Sequence, residues 1–225
     1  MDFMKWLNSL GELLYEVMSW LIFYPITLWR SVTHPLRMMA YADSELHDRQ
    51  TEQFTDTLNP PLFLILSLLL TQEIDEALGG GVNPIVAKQT GLAALITDST
   101  TLLALRLVLF SLFPLMMSAR LLRAQGTSLT RQCLKPPFYA QCYACAPFAL
   151  VLGIGVSLGH VSVPHAGLAS GLLSILSVTG YLAAETLWFS RRLNQPVGRG
   201  LLHALRAFFT AAVLAIAIGA LFVVR

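Results

Sequence analysis

The sequence has few charged residues. Only 12% of its 225 residues are Asp, Glu, Lys or Arg, whereas soluble domains contain about 25%. Hydrophobic residues make up 55% of the chain, and the mean hydropathy is +0.63. A net charge of +2 is too small to indicate a nucleic-acid partner. No long polar stretch is left for a second domain, so the composition predicts one polytopic membrane domain.

The sequence also lacks the motifs of common catalytic and metal sites. Its three cysteines are an odd number, which excludes a complete disulfide framework. Cys142 and Cys145 are spaced C-x-x-C, but a structural zinc ion needs four ligands, and no thioredoxin-like context surrounds them. His160 and His165 flank a short loop without an acidic or thiol partner. We therefore expect buried, reduced cysteines, no metal, no cofactor and no enzymatic activity.

The N-terminal region, residues 1–58, contains an amphipathic helix at about residues 3–29. One face is apolar and carries Phe3, Leu7, Leu10, Leu14, Val17 and Leu21, and the opposite face carries Lys5, Ser9, Glu12, Glu16 and Ser19. This pattern predicts a helix lying in the membrane interface, although residues 13–29 could instead form a further span. The segment 43–57 is the most hydrophilic and predicts a solvated connector. An acidic second residue and the absence of a cleavage site predict no cleavable signal peptide.

Residues 59–225 predict five transmembrane helices, so the fold class is an all-α polytopic membrane protein with an N-terminal amphipathic interfacial helix. A span needs about 20 mainly apolar residues. The predicted spans are about 59–78, 93–117, 138–159, 167–189 and 207–224. Small residues recur four positions apart in the last three spans, as in Gly155-xxx-Gly159 and Gly167-xxx-Gly171. Such spacing lets helix backbones approach closely, which predicts tight packing of these three spans.

Positive charge predicts the orientation of the chain. Twelve basic residues lie before the first predicted span, between spans two and three, or between spans four and five: Lys5, Arg30, Arg37, Arg49, Arg120, Arg123, Arg131, Lys135, Arg191, Arg192, Arg199 and Arg206. The opposite side holds only Lys88 and Arg225. Because basic loops stay in the cytoplasm, we expect a cytoplasmic N-terminus and a periplasmic C-terminus in the bacterial inner membrane.

Four ionisable residues form a candidate intramembrane polar site. Arg106 lies near the middle of the second span, with Asp98 two turns away, while Glu185 lies in the fourth span and Glu73 near the end of the first. Charged residues at such depth are costly and often functional. Arg106 could extend to Glu185 or share a cavity with Asp98. The site is either a polar path or a structural ion pair that fixes the helix register.

The layout resembles a known family. A cytoplasmic N-terminal region, the segment DTLNPPLFLILSLLL that opens the first span, and five spans with an outward C-terminus resemble the Yip-type (Ypt-interacting protein) membrane family over residues 55–225. The closer resemblance is to bacterial members labelled permeases. In eukaryotes the family binds small GTPases and shapes secretory membranes. The resemblance implies no functional residue in this chain.

Two functions follow as hypotheses. The first is a non-enzymatic scaffold, accessory subunit or membrane-organising component, whose partners are the lipid bilayer and either a second copy or another membrane protein. The second is a small permease with Asp98, Arg106 and Glu185 along a polar path. A membrane-embedded enzyme would need a clustered catalytic set, which the sequence does not show.

Overall fold

The protein forms an all-helical bundle. A computed structural model describes residues 2–49, 53–79 and 99–223. These residues form seven helices and no strand: α1 Asp2–Thr33, α2 Pro35–Glu45, α3 Pro60–Ala77, α4 Ser99–Ala124, α5 Arg131–Leu158, α6 Ala166–Arg192 and α7 Val197–Val223. The predicted all-α class is therefore confirmed for the part of the chain that the structure describes.

Four helices, rather than the predicted five, have the length and hydropathy of a membrane span. Within the described ranges they are α4, α5, α6 and α7. The predicted first span is a helix, α3, and its 18 residues are long enough, but its last two turns contain Glu73, Asp75 and Glu76. Three acidic side chains lower its hydropathy below that of a span. The predicted interfacial segment is contained in α1, which continues through Pro25 as one helix.

The helix α5 is the centre of the bundle. It contacts α2, α3, α4 and α6, and α7 closes the bundle against α4 and α6. It begins at Arg131, seven residues before the predicted start of the span, because Thr130 caps it by accepting a hydrogen bond from the Cys133 amide. The helix is therefore longer than its apolar segment, because it includes capped turns before residue 138 that carry charged residues.

An aromatic cluster joins all four long helices. Phe113 of α4, Phe148 of α5, Tyr181 of α6 and Phe208 of α7 each contribute one ring. The Phe148 and Tyr181 rings are stacked with centroids 4.6 Å apart, and the Phe113 ring lies 5.4 Å from Phe148 and 5.3 Å from Phe208. Pairs at these distances add stabilisation beyond their buried area. The cluster holds the four helices in a fixed arrangement.

The predicted close packing of small residues is found between α5 and α6. A Cβ atom added at Gly155 would lie 3.0 Å from the Ser174 hydroxyl, and one at Gly159 would lie 3.0 Å from the Ser170 hydroxyl. By contrast, a Cβ atom at Gly167 or Gly171 would meet no heavy atom within 4 Å. Of the two Gly-xxx-Gly pairs, one therefore makes the helix contact and the other faces outward.

The basic ends of the four long helices meet at one end of the bundle. Arg120 near the end of α4 donates from its Nε to Nδ1 of His203 in α7, at 3.0 Å. A cavity of about 670 Å³ at the same end is bordered by the end of α4, the start of α5 and the end of α6. We refer to this end as the basic end.

The helix α2 docks the N-terminal region against the bundle. Met38, Met39 and Ala42 are buried, and the helix contacts both α5 and α6. Asp43 forms an ion pair with Arg192 at the end of α6. The predicted solvated connector is partly buried as well, since Phe54 and Thr57 have 8% and 5% of their surface exposed.

The first half of α1 is exposed on all sides from residue 9 to residue 18, so its apolar face is not covered by the bundle. Four side chains on that face, Leu10, Leu14, Val17 and Leu21, are between 40% and 69% exposed. The polar face, with Glu16 and Ser19, borders a cavity of about 370 Å³ that is also lined by the connector. We call the four residues the α1 apolar stripe. A soluble protein would bury such a stripe, so the stripe is suited to a membrane or a partner.

Candidate functional site

The candidate site is built around Glu185, a carboxyl group inside the bundle. Residues 99–225 contain this one acidic side chain and nine basic residues before Arg225. Glu185 is fully buried, and Tyr181 and Trp188 are buried on the same face of α6, at the i, i+4 and i+7 spacing that aligns side chains along a helix. The face packs against α5, which supplies the partner of the carboxyl group.

Gln141 of α5 is that partner. Its Nε2 donates a hydrogen bond to Oε2 of Glu185 at 2.9 Å, and Gln141 is also fully buried. The Oε1 atoms of both residues have no hydrogen-bond partner among the described residues, and the same is true of the Tyr181 hydroxyl. No described Lys or Arg forms an ion pair with Glu185. Gain or loss of one proton at Glu185 changes the charge of the bundle interior. An uncompensated charge there is costly to bury.

Arg106 pairs with Asp75 rather than with Glu185. The Nη2 of Arg106 in α4 lies 3.2 Å from Oδ2 of Asp75 in α3, and the two side chains are 21% and 27% exposed. Arg106 lies near the start of α4, whereas Glu185 lies near the end of α6, at the basic end. Glu73 is exposed, and Asp98 lies outside the described residues. The structure therefore does not bring Arg106, Glu73 and Glu185 together.

Two partners were missed from the sequence. Asp75 lies in the acidic end of α3, and its charge is opposite to that of Arg106 in α4. Gln141 is a lone amide in the apolar stretch FYAQCYACAPF. A polar residue that is isolated in an apolar helix is a signal for a buried hydrogen bond, and it could have identified Gln141.

The Arg106–Asp75 contact makes a prediction about stability. We expect Arg106→Gln to lower the melting temperature in detergent by about 2–4 °C, because loss of a half-buried ion pair costs about 1 kcal/mol. The double variant Arg106→Gln/Asp75→Asn should recover part of this loss, since it also removes the unpaired carboxylate. Arg131→Gln, at an exposed position, is the control. An unchanged melting temperature together with loss of a transport flux would contradict the structural role.

A second polar network ties the N-terminal region to α5. The Tyr41 hydroxyl donates to Asp56 at 2.5 Å, and Arg30 lies 2.9 Å from the other oxygen of Asp56. Tyr143 of α5 donates to the Leu58 carbonyl at 2.8 Å and lies 3.0 Å from the Thr57 hydroxyl. The hydrogen bond from Tyr41 lowers the pKa of Asp56, with a smaller contribution from Arg30. The network is structural, because it fixes the connector between α2 and α3.

The thiols and imidazoles do not converge. Cys142 and Cys145 are buried in α5 with free thiols, as predicted, and Cys133 is half-buried. Across residues 2–49, 53–79 and 99–223, no group of three or more His, Cys, Asp or Glu side chains is placed to hold a metal ion. His165 is found at the N-cap of α6 with a positive φ of 67°, a helix-capping position.

Comparisons of the chain with protein-family models, with curated proteins and with solved structures found no match. The resemblance to the Yip-type family therefore stays a prediction. The function has to be argued from the geometry of the bundle.

Proposed function

We propose that the protein is a non-enzymatic integral membrane protein that acts as a scaffold, accessory subunit or membrane-organising component. The observation that carries this proposal is the exposed α1 apolar stripe. It belongs to a helix whose other end is held to α5 by hydrogen bonds through Thr27 and the connector. A rigid bundle thus presents an amphipathic helix at its edge.

The proposed placement is in the inner membrane of a bacterium, with the N-terminus in the cytoplasm and five spans. The gathering of Arg120, Arg123, Arg191, Arg192 and Arg206 at one end supports this orientation, because basic residues stay in the cytoplasm. In this arrangement α3 is the short fifth span. It contacts α4 and α5, and the ion pair with Arg106 compensates the charge of Asp75 at its acidic end.

The test is purification of the full chain from native membranes in a mild detergent, followed by mass spectrometry and determination of the native mass. The test variant, Leu14→Ser/Leu21→Ser, alters the α1 apolar stripe. The control, Leu168→Ser/Leu172→Ser, makes the same change on α6, where the side chains are 68% and 69% exposed. We expect a stoichiometric partner or second copy that the test variant loses and the control retains. An isolated monomer from wild-type membranes would contradict the proposal.

The second candidate function is a small permease, and it is favoured by the burial of Glu185, whose Oε1 has no hydrogen-bond partner in the described part of the chain. Coupled transporters use intramembrane carboxyl groups to bind protons. In that case Glu185→Gln would abolish a flux in vesicles while leaving the fold intact. A scaffold would show no flux that depends on Glu185, so the comparison of wild type with Glu185→Gln in vesicles distinguishes the two functions.

A further inference from the structure

Three arginine side chains converge on one cleft between α4 and α7. Arg120 and Arg123 of α4 and Arg206 of α7 border a cavity of about 130 Å³, together with Met116 and Thr210. Arg123 and Arg206 are exposed, and Arg120 is half-buried. We call this the arginine cleft, and we propose that it binds the phosphate group of an anionic phospholipid.

Among the described residues, no acidic side chain forms an ion pair with an arginine of the cleft. Neither α4 nor α7 contains Asp or Glu, and Glu185 of α6 is buried against Gln141. The ion pairs found within residues 2–49, 53–79 and 99–223 involve only Arg30, Arg106 and Arg192. Three guanidinium groups that share one small cavity repel each other, so a bound anion would be favourable.

One of the three arginines is held in position by its neighbours. Nε of Arg120 donates to Nδ1 of His203 at 3.0 Å, and the His203 ring stacks on Phe189 with centroids 5.8 Å apart. An Nδ1 atom that accepts a hydrogen bond belongs to a neutral imidazole with its proton on Nε2. Since Nε of Arg120 is occupied, its two terminal nitrogens stay available as donors. Guanidinium groups match the geometry of phosphate oxygens.

The surroundings of the cleft favour a lipid over a soluble phosphate. The cleft is at the basic end of the bundle, and the outer face of α7 continues from Arg206 along Phe209, Val213 and Ile216, which are 61%, 63% and 71% exposed. These positions follow one another at helical spacing. A phosphate in the cleft would therefore have an apolar path beside it for acyl chains. Basic pockets between membrane helices are typical headgroup sites.

The experiment is native mass spectrometry of the full chain in detergent micelles with added lipid. Phosphatidylglycerol, phosphatidylcholine and inorganic phosphate are titrated separately. The test variant is Arg120→Gln/Arg123→Gln/Arg206→Gln, and the control is Arg131→Gln/Lys135→Gln/Arg199→Gln, which removes the same charge from exposed positions at the same end. We expect the test variant to bind phosphatidylglycerol about tenfold more weakly or worse, and the control to stay within about twofold of wild type.

Three results would overturn the proposal: equal losses in the two variants, equal binding of phosphatidylcholine, or tight binding of inorganic phosphate without a preference for lipid. The first would indicate a diffuse charge effect and the last a soluble phosphate ligand. If the triple variant does not fold, the single variant Arg206→Gln replaces it, because this side chain is exposed and forms no ion pair within the described residues. Arg206→Gln should then weaken phosphatidylglycerol binding more than Arg199→Gln does.

Discussion

Replacing Gln141 with leucine is expected to lower the free energy of unfolding by about 3 kcal/mol, because it leaves the buried Glu185 carboxyl without its donor. For a chain of this size the melting temperature should fall by about 6–12 °C. The double variant Gln141→Leu/Glu185→Leu removes both polar groups and should be more stable than Gln141→Leu alone. Removing both partners of a buried polar contact is often nearly neutral.

The measurement is thermal unfolding in detergent, followed by circular dichroism. Thr179→Val is the control, since this polar residue is exposed in the same region of α6 and bonds only within its own helix. A double variant that is less stable than Gln141→Leu would contradict the account. Glu185 would then stabilise the fold by more than its hydrogen bond with Gln141.

The second large effect is expected at Gly200. A Cβ atom there would lie 2.5 Å from the Thr186 carbonyl oxygen and 3.0 Å from the Ser190 nitrogen, both of which are backbone atoms of α6. Backbone atoms cannot rotate away, so Gly200→Ala must move α7 away from α6. We expect a loss of about 2–3 kcal/mol, at the high end for overpacking, and a melting temperature lower by about 4–12 °C.

Gly198→Ala is a closely matched control, two residues earlier in the same helix. A Cβ atom at Gly198 would meet no heavy atom within 4 Å, and alanine is a better helix former by up to about 1 kcal/mol. The two variants should therefore differ in sign: Gly200→Ala destabilises, whereas Gly198→Ala is neutral or stabilising. Shifts of the same sign and size would show that the helices do not approach closely at Gly200.

Hydropathy predicted the four long helices because lipid-facing spans need continuous apolar residues regardless of their neighbours. Among the described helices only those four have the hydropathy of a span, and α3 does not, since its acidic end interrupts the apolar run. The docking of α2 could not be predicted, because Met38, Met39 and Ala42 are too few to distinguish an interfacial anchor from a buried helix. Their burial depends on α5 and α6, which are distant in sequence.

Single residues were harder to assign than helices. Arg106 and Glu185 were identified as ionisable residues within apolar segments, a property visible in the sequence alone. Their partners depend on which helices are adjacent and on the depth of each side chain in the bundle. The hydropathy pattern shows neither. Likewise, the sequence shows two Gly-xxx-Gly pairs, whereas only the rotation of each helix decides that Gly155 and Gly159 make contact and that Gly167 and Gly171 do not.

The docking of α2 imposes an order on synthesis and assembly. Asp43 leaves the ribosome about 150 residues before its partner Arg192, and α5, against which the same helix packs, also follows later. Until α5 has been inserted, α2 has no helix of the bundle to pack against, and until α6 follows, Asp43 has no ion-pair partner. The N-terminal region can therefore close only after α5 is in place, and a chain truncated before α5 would leave the apolar face of α2 uncovered.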